Sequence, residues 1–189
     1  MAKKTNAEVA AENEKKAKKT QKWLFQNEWL EAKKTTFHFD DHEYERFLVV
    51  HPGAVAIIPI NKDGDLILVR QYRSAIEQLS LEIPAGRIDG DLPPDGEAQR
   101  ELQEEIGFRA NKLTPFGSLY SAPGFTNEKI YLFIAEDLVP SKLPHDVGEV
   151  IDIVTTPLSD AIQYIEEGKI VDAKTIVSIL RFANRIQML

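Results

Sequence analysis

Three glutamates stand at helical spacing in the segment DGEAQRELQEEIG, at positions 101, 104 and 105. Residues i, i+3 and i+4 share one face of an α-helix, so Glu101, Glu104 and Glu105 are expected to lie side by side. Arg100 can offset only one of these charges. Because carboxylate oxygens are the ligands that hard divalent cations prefer, the pattern favours a magnesium site. A solvated acidic face is the alternative interpretation.

Residues 86–108 extend this pattern and resemble the Nudix box, the motif of the Nudix hydrolases. The matched positions of the box are Gly86, Arg100, Glu101, Leu102, Glu104, Glu105, Gly107 and Phe108. The one departure is Leu92, which stands where the family has its first glutamate. In the family this glutamate braces the loop and the arginine, and Asp89, Asp91 and Asp95 are the candidates to replace it here.

The resemblance to the Nudix family implies a loop–helix–loop that holds metal ions against a diphosphate. It makes Glu101 and Glu105 the main metal ligands, and Glu104 a further ligand, either directly or through water. It also implies that Arg100 orients the glutamates by charge-assisted hydrogen bonds and that the carbonyl of Ala85 reaches a metal. Mg²⁺ is the expected cofactor, with Mn²⁺ as the alternative, since a cation must bring the diphosphate and the glutamates together.

Segments outside the box resemble one branch of the family, the pyrophosphatases of ADP-ribose and other nucleoside diphosphate sugars. They are LEIPAG before the box, SAPGFTNEKIYLFIA with Pro123 after it, and HPGAVAIIPI and LVRQYR upstream. The resemblance covers residues 29–185 and implies hydrolysis to a nucleoside monophosphate and a sugar phosphate. One alternative is a pyrophosphohydrolase of nucleoside triphosphates or damaged nucleotides, against which LEIPAG and Pro123 argue. The other is a sensor that binds ADP-ribose without cleaving it, against which the three retained glutamates argue.

The same resemblance implies contacts to the substrate. Arg73, in LVRQYR, is expected near the substrate phosphates, and Glu82, in LEIPAG, is expected to face the substrate or the metal site. A surface ion pair is the alternative for each of them. Pro123 and Glu128 lie in the loop after the box, and Glu128 resembles a residue that contacts the terminal ribose.

A general base and a platform for the nucleobase complete the expected site. Members of this branch place a glutamate on the loop before a late strand, which makes Glu149 the candidate base and His145 and Asp146 the alternatives. Closure of such a loop would exclude water once the substrate is bound. Trp29 is the candidate that stacks on the nucleobase, and ordinary packing is the alternative for this side chain.

The elements that must position these residues are predicted from periodicity and turn residues. Hairpins are expected with turns at 40–42 and at Asp63–Gly64. The box helix is expected to end at Gly107. Two further helices are predicted, one with Pro157 as its first residue and one capped by Asp172. The order of elements predicts an α/β fold with a mixed sheet between helices, and the resemblance specifies the Nudix α/β/α sandwich.

Composition excludes several classes of protein. The chain has 189 residues, a formal net charge of −7 and no cysteine. An acidic protein gains little from counterion release, which disfavours nucleic acid as a partner. The absence of cysteine excludes disulfides and thiolate chemistry. No apolar stretch reaches the length of a membrane span or resembles a signal peptide, so we expect a cytoplasmic protein with no membrane partner.

The sequence predicts three regions. Residues 1–20, rich in Lys, Ala and Glu, are expected to form a flexible tail, since they cannot bury a core. Residues 21–50 are expected to form N-terminal strands and residues 51–189 the Nudix domain. In the branch named above such strands often cross to a second subunit, which implies a homodimer with exchanged N-terminal strands.

Overall fold

A computed structural model describes residues 4–27, 30–145 and 150–187. The strands are β1 (Lys18–Gln26), β2 (Glu31–His38), β3 (Glu43–Val50), β4 (Ala54–Pro59), β5 (Leu66–Arg73), β6 (Gln78–Glu82), β7 (Ala85–Arg87), β8 (Phe108–Tyr120), β9 (Lys129–Pro140) and β10 (Asp152–Thr156). The helices are α1 (Asn6–Lys16), α2 (Pro94–Glu101), α3 (Leu158–Glu166) and α4 (Ala173–Arg185), and a π-helical turn (Leu102–Ile106) continues α2. None of the helices in this described part is long and apolar enough to cross a membrane.

The chain divides into two compact units. The N-terminal unit comprises Met1–His51 and Ala122–Glu128, and the main unit comprises Pro52–Ser121 and Lys129–Leu189. The main unit contains the box helix and every element from β4 onward. Each unit has its own sheet or sheets, so each is described by itself below.

The N-terminal unit is built on an antiparallel sheet in the order β1-β2-β3. The predicted hairpin at 40–42 is confirmed, since β2 and β3 pair on either side of it. Helix α1 begins with a capping box between Thr5 and Glu8 but buries none of its residues. Strand β1 begins at Lys18, within the segment assigned to the tail, while the flexibility of that segment stays a prediction.

The main unit has a four-stranded sheet in the order β7-β4-β9-β8, in which only β4 and β9 are parallel. Strand β4 is buried along its whole length. Alternate residues of β4 belong to two different hydrophobic cores. Val55 and Ile57 pack with Ala98 of α2, and Ile58 packs with Ile179 of α4. The sheet therefore lies between helices on both faces, which confirms the predicted α/β/α sandwich with a mixed sheet.

The prediction of a β4–β5 hairpin is wrong, although its turn is present. Gly64 has a φ of +88° in that turn, and a single bridge joins Ile60 to Leu66. Beyond this bridge β5 joins a second sheet in the order β10-β5-β6. The reason is that a strand has only two edges, and those of β4 are taken by β7 and β9.

The ends of the helices follow the predicted residues closely. Gly107 ends the box helix in the left-handed conformation, with a φ of +74°. The side chain of Asp172 caps α4 by accepting a hydrogen bond from the backbone N–H of Thr175, at 2.9 Å. Pro157 is the N-cap of α3 rather than its first helical residue, so this helix begins one residue later than predicted. These caps determine where α2 and α4 meet the sheet.

Candidate active site

Arg100 lies at the centre of an acidic cluster on the box helix. Its Nε donates to Glu97 at 2.8 Å, one terminal nitrogen donates to Glu104, and the other donates to Glu101. Burial opposes the charge of Arg100, but the hydrogen bond to Glu97 and the charges of the neighbouring glutamates raise its pKa above the ordinary value. One guanidinium therefore faces three carboxylates and stays charged.

Strand β7 lies directly against these carboxylates. A Cβ atom added to Gly86 would stand 1.9 Å from a carboxylate oxygen of Glu101, so any other residue here would displace that carboxylate. The backbone N–H of Ala85 donates to Oε2 of Glu105 at 3.1 Å. The first glycine of the box thus allows the strand and the acidic helix to approach each other, and the Ala85 peptide lies beside the helix glutamates.

The box helix changes its winding within the acidic cluster. Residues Leu102–Ile106 form a π-helical turn in which the N–H of Gly107 bonds to the carbonyl of Leu102. Leu102 and Ile106 are buried and fix this turn to the core. Inserted π-turns occur often at functional sites. Sequence periodicity predicted one continuous helix, because a single wide turn leaves no signal in so short a pattern.

A second ionic cluster surrounds Glu82, which is only 2% exposed. Arg73 donates to both of its carboxylate oxygens, at 2.8 and 2.7 Å, and Lys174 of α4 donates at 2.5 Å. Lys174 also lies 3.0 Å from Asp172. Burial alone would raise the pKa of Glu82, but the hydrogen bond from Arg73 and the charge of Lys174 lower it to about 2. The predicted roles of Arg73 and Glu82 toward the substrate stay predictions.

The LEIPAG segment connects the two clusters. The backbone N–H of Ile83 donates to the hydroxyl of Thr175 at 3.0 Å, and the carbonyl of Pro84 accepts from the N–H of Ile57 at 2.9 Å. Glu82 stands at one end of this segment and Ala85 at the other. Contacts to α4 and β4 therefore hold the segment, and through Ala85 it reaches Glu105 of the box helix.

Other predicted site residues lie elsewhere. Pro123 and Glu128 belong to the N-terminal unit, where Oε1 of Glu128 lies 3.6 Å from Nε2 of His51. Trp29 and Glu149, like the alternative base Asp146, fall outside the described residues. The substrate and base assignments of these residues stay predictions.

The donor set fits a hard divalent cation in its chemistry. Among residues 4–27, 30–145 and 150–187, no group of three or more His, Asp or Glu is already arranged to hold a metal ion. The reason is visible in the cluster, since Arg100 holds Glu101 and Glu104. Carboxylates and a peptide carbonyl are nevertheless the oxygen ligands that such ions take. In the ion pairs described, three carboxylates share the one guanidinium of Arg100, an arrangement that a cation would complement.

Sequence reasoning missed three residues of the two clusters. Glu97, rather than one of the three loop aspartates, holds Arg100, and its signal was the i, i+3 spacing to that arginine. Lys174 and Thr175 lie far from Glu82 and Ile83 in sequence, so no local pattern could have paired them.

Comparison with known proteins gives the family. The model of the NUDIX domain matches residues 50–177, so the chain belongs to the Nudix family. It is 38% identical over 137 residues to the ADP-ribose pyrophosphatase of Bacillus subtilis, covering 71% of this chain and 74% of that protein. It is 30% identical over 176 residues to the GDP-mannose pyrophosphatase of Yersinia pestis, covering 85% of this chain and 88% of the relative. A crystal structure of an ADP compounds hydrolase superposes with a TM-score of 0.77 and 27% identity, covering 89% of this chain and 92% of that one.

Proposed function

We propose that this protein hydrolyses the diphosphate bond of ADP-ribose or another nucleoside diphosphate sugar in a magnesium-dependent reaction. The observation that carries the proposal is the box helix, which presents Glu101, Glu104 and Glu105 beside Gly86 and the Ala85 peptide. The relatives support the substrate class, because their names specify ADP-ribose, ADP compounds and GDP-mannose. The products are a nucleoside monophosphate and a sugar phosphate.

The proposed mechanism assigns a role to each residue of the cluster. Glu101 and Glu105 are the main ligands of the cation, with Glu104 and the carbonyl of Ala85 as further ligands. Arg100 orients Glu101 and Glu104 by charge-assisted hydrogen bonds. When bound, Mg²⁺ would offset the charge of the diphosphate and lower the pKa of the attacking water.

Two further assignments belong to this proposal. Glu149 removes the proton from the attacking water, with His145 and Asp146 as the alternatives. Arg73 lies next to a carboxylate that it already neutralises, and it extends toward the substrate phosphates. The exposure of the two side chains supports this role, because Arg73 is partly exposed whereas its partner Glu82 is buried. Trp29, Pro123 and Glu128 are assigned to the nucleoside and the ribose.

A product assay tests the function. The wild-type protein and the Glu105→Gln variant are incubated with a panel of nucleotide sugars and nucleoside triphosphates, with Mg²⁺, with Mn²⁺ or with a chelator. We expect the wild type to release nucleoside monophosphate only when a divalent cation is present, and the variant to lose at least about 100-fold in kcat. Glu136→Gln is the matched control, since Glu136 pairs with Lys112 on the surface of the sheet.

The same assay separates the rival functions. Cleavage of triphosphates in preference to nucleotide sugars would identify the pyrophosphohydrolase alternative. Binding of ADP-ribose by calorimetry without any product would identify the sensor. Retention of full activity by Glu105→Gln contradicts the proposed metal site. Running the best substrate in isotopically heavy water then locates the attacked phosphorus.

The exposed side chains of the N-terminal unit support a homodimer. Every residue of β1 is exposed, and Trp23, Phe25, Phe47 and Phe125 each leave about half of the side chain or more in contact with solvent. Exposed apolar surface of this kind is found at many interaction sites. A second copy of the chain is the proposed occupant, and the exchange of N-terminal strands between copies is part of the proposal.

The mass in solution tests the dimer. Sedimentation equilibrium is expected to give twice the chain mass of 21.4 kDa for the wild type and the single-chain mass for Phe47→Glu. Val171→Glu, which places the same charge on an exposed valine of the main unit, is the control and is expected to stay dimeric. A monomeric wild type would refute the dimer. A cytoplasmic location and the absence of nucleic-acid partners stay predictions.

A further inference from the structure

The geometry of the box helix points to a positioning role for a residue outside the matched box positions. We infer that Glu97 replaces the carboxylate that the box lacks at Leu92, and that it fixes the orientation of the Arg100 side chain and, through it, the positions of Glu101 and Glu104. The inference rests on the proposed function, whose metal site it deepens. Glu97 itself touches neither substrate nor metal in this proposal, so it is a positioning residue rather than a catalytic one.

The contacts of Glu97 carry the inference. Its carboxylate accepts from Nε of Arg100 at 2.8 Å, and the residue is only 1% exposed. A buried carboxylate needs a charged partner, and Arg100 supplies it. On its other side the carboxylate lies against the loop, because a Cβ atom added to Gly90 would stand 3.1 Å from Oε1 of Glu97. Glu97 therefore binds the arginine and lies beside Gly90 of the loop, and these are the two parts that the family's glutamate braces.

The orientation of the guanidinium follows from this contact. Arginine presents its N–H groups in a planar fork, so fixing the Nε edge also fixes the directions of the two terminal nitrogens. Those nitrogens donate to Glu101 and Glu104. Without Glu97 the guanidinium could rotate and bind the same two glutamates in other geometries. The glutamates would then have to break variable contacts before they bind a cation.

The three loop aspartates, which are the predicted replacements for the missing glutamate, form no ion pair with Arg100 among the described residues. Asp89 pairs with Arg87 at 2.7 Å. The carboxylates of Asp91 and Asp95 form no ion pair with Arg100 within the described part of the chain. Leu92 lies over the start of the helix instead, since a Cβ atom added to Gly96 would stand 3.3 Å from its Cβ. The brace thus comes from the helix rather than from the loop.

Metal binding without substrate tests the inference separately from activity. Mg²⁺ binding is measured by isothermal titration calorimetry, and the Mg²⁺ concentration for half-maximal activity is measured in parallel, for Glu97→Gln, Asp91→Asn and Asp95→Asn. Mutation of a residue that holds a metal ligand in place typically lowers metal affinity about 10- to 100-fold. We expect Glu97→Gln to weaken Mg²⁺ binding about 10-fold and to lower kcat more than it changes KM. Each aspartate variant is expected to stay within about twofold of the wild type.

A double-mutant cycle separates positioning from general stability. If Glu97 acts through Arg100, Glu97→Gln has little further effect on Mg²⁺ binding in an Arg100→Met background. An equal shift in both backgrounds overturns the inference, and so does a Glu97→Gln variant that binds Mg²⁺ like the wild type or a shift in an aspartate variant instead. If Glu97→Gln does not fold, Glu97→Asp takes its place. It keeps the charge, draws the carboxylate away from Nε of Arg100, and is expected to weaken Mg²⁺ binding in the same direction.

The two proposals fail in different ways. An inactive wild type that binds Mg²⁺, with Glu97→Gln weakening that binding, would refute the proposed hydrolysis and support the inference. An active wild type with unchanged Mg²⁺ binding in Glu97→Gln would support the hydrolysis and refute the inference.

Discussion

The main unit contains two ionic clusters that are built from the same kinds of side chain but differ in charge. In the Arg100 cluster one guanidinium faces three carboxylates, those of Glu97, Glu101 and Glu104. In the Glu82 cluster the two acids, Glu82 and Asp172, are matched by Arg73 and Lys174. Among the ion pairs described, three carboxylates of the first cluster share one guanidinium, whereas the second cluster matches two acids with two bases.

This difference indicates what each cluster is for. A balanced buried cluster needs no further ion, and its strength comes from complete pairing of the buried charges. A cluster with surplus carboxylates keeps a repulsion that a divalent cation would turn into attraction. The comparison predicts that changes at Glu82, Asp172 and Lys174 alter mainly stability, whereas changes in the Arg100 cluster alter mainly metal binding and activity.

Gly86→Ala is expected to have the largest effect of the variants that test this comparison. The added Cβ would overlap the Glu101 carboxylate, from which it would stand 1.9 Å. Misplacement of a reacting or binding group by about 1 Å can cost about 100-fold in rate, so we expect at least that loss in kcat/KM. Steady-state kinetics over a range of Mg²⁺ concentrations is the measurement.

Gly64→Ala is the matched control for this change. Gly64 has a φ of +88° and no atom within 4 Å of an added Cβ. The substitution is therefore expected to lower the free energy of unfolding by about 1 kcal/mol through backbone strain and to leave kcat/KM unchanged. Equal kinetic losses in both variants would show that the loss at Gly86 is not specific to the site.

Glu82→Gln tests the balanced cluster through its pH dependence. The pKa of Glu82 is about 2 in the folded protein against 4.5 for a free carboxyl. Because the folded pKa is the lower one, the carboxylate stabilises the fold above about pH 4.5, and this contribution is lost as the pH falls toward 2. The difference corresponds to roughly 3 kcal/mol. We expect Glu82→Gln to lose stability of this order at pH 7.

Urea unfolding from pH 7 down to pH 3 measures this effect. The wild type is expected to lose stability steeply below about pH 4.5, and the variant is expected to show a flatter profile over the same range. Glu136→Gln, which removes an exposed carboxylate, serves as the control for the general effect of acid. Parallel profiles for Glu82→Gln and the wild type would contradict the assignment of the acid sensitivity to this cluster.

The sequence predicts the two clusters to different extents, for a physical reason. Glu101, Glu104 and Glu105 are close in sequence, so helical geometry alone places them on one face. Lys174 meets Glu82 across 92 positions, and only the docking of α4 onto the sheet brings them together. The prediction of a β4–β5 hairpin was wrong for the same reason. Tertiary structure, and not the local sequence, decides that β4 pairs with β7 and β9. Local patterns thus predicted the acidic helix and the turns but not the partners.

Asp172→Ala is expected to have a smaller effect, on the stability of α4 alone. Asp172 caps the helix through the N–H and the hydroxyl of Thr175, at 2.9 and 2.6 Å. Loss of such a cap costs about 1 kcal/mol. Asp172→Asn keeps a good capping residue but loses the charge beside Lys174, so its loss is expected to be smaller. Thermal unfolding of both variants gives the comparison, and equal losses would assign the effect to the charge rather than to the cap.

Glu104→Gln is expected to have the smallest effect on stability, and it tests the comparison most directly. The variant loses an ion pair with Arg100 but also relieves repulsion among the helix glutamates, and each of these terms is worth a few tenths of a kcal/mol. Without metal we therefore expect its free energy of unfolding to stay within about 0.5 kcal/mol of the wild type, whereas its kcat falls about 10-fold or more because a proposed ligand is lost. Urea unfolding in the presence of a chelator, beside steady-state kinetics with Mg²⁺, measures both quantities. If Glu104→Gln were instead as destabilising as Glu82→Gln, the surplus carboxylates of the Arg100 cluster would be structural, and the distinction between the two clusters would be lost.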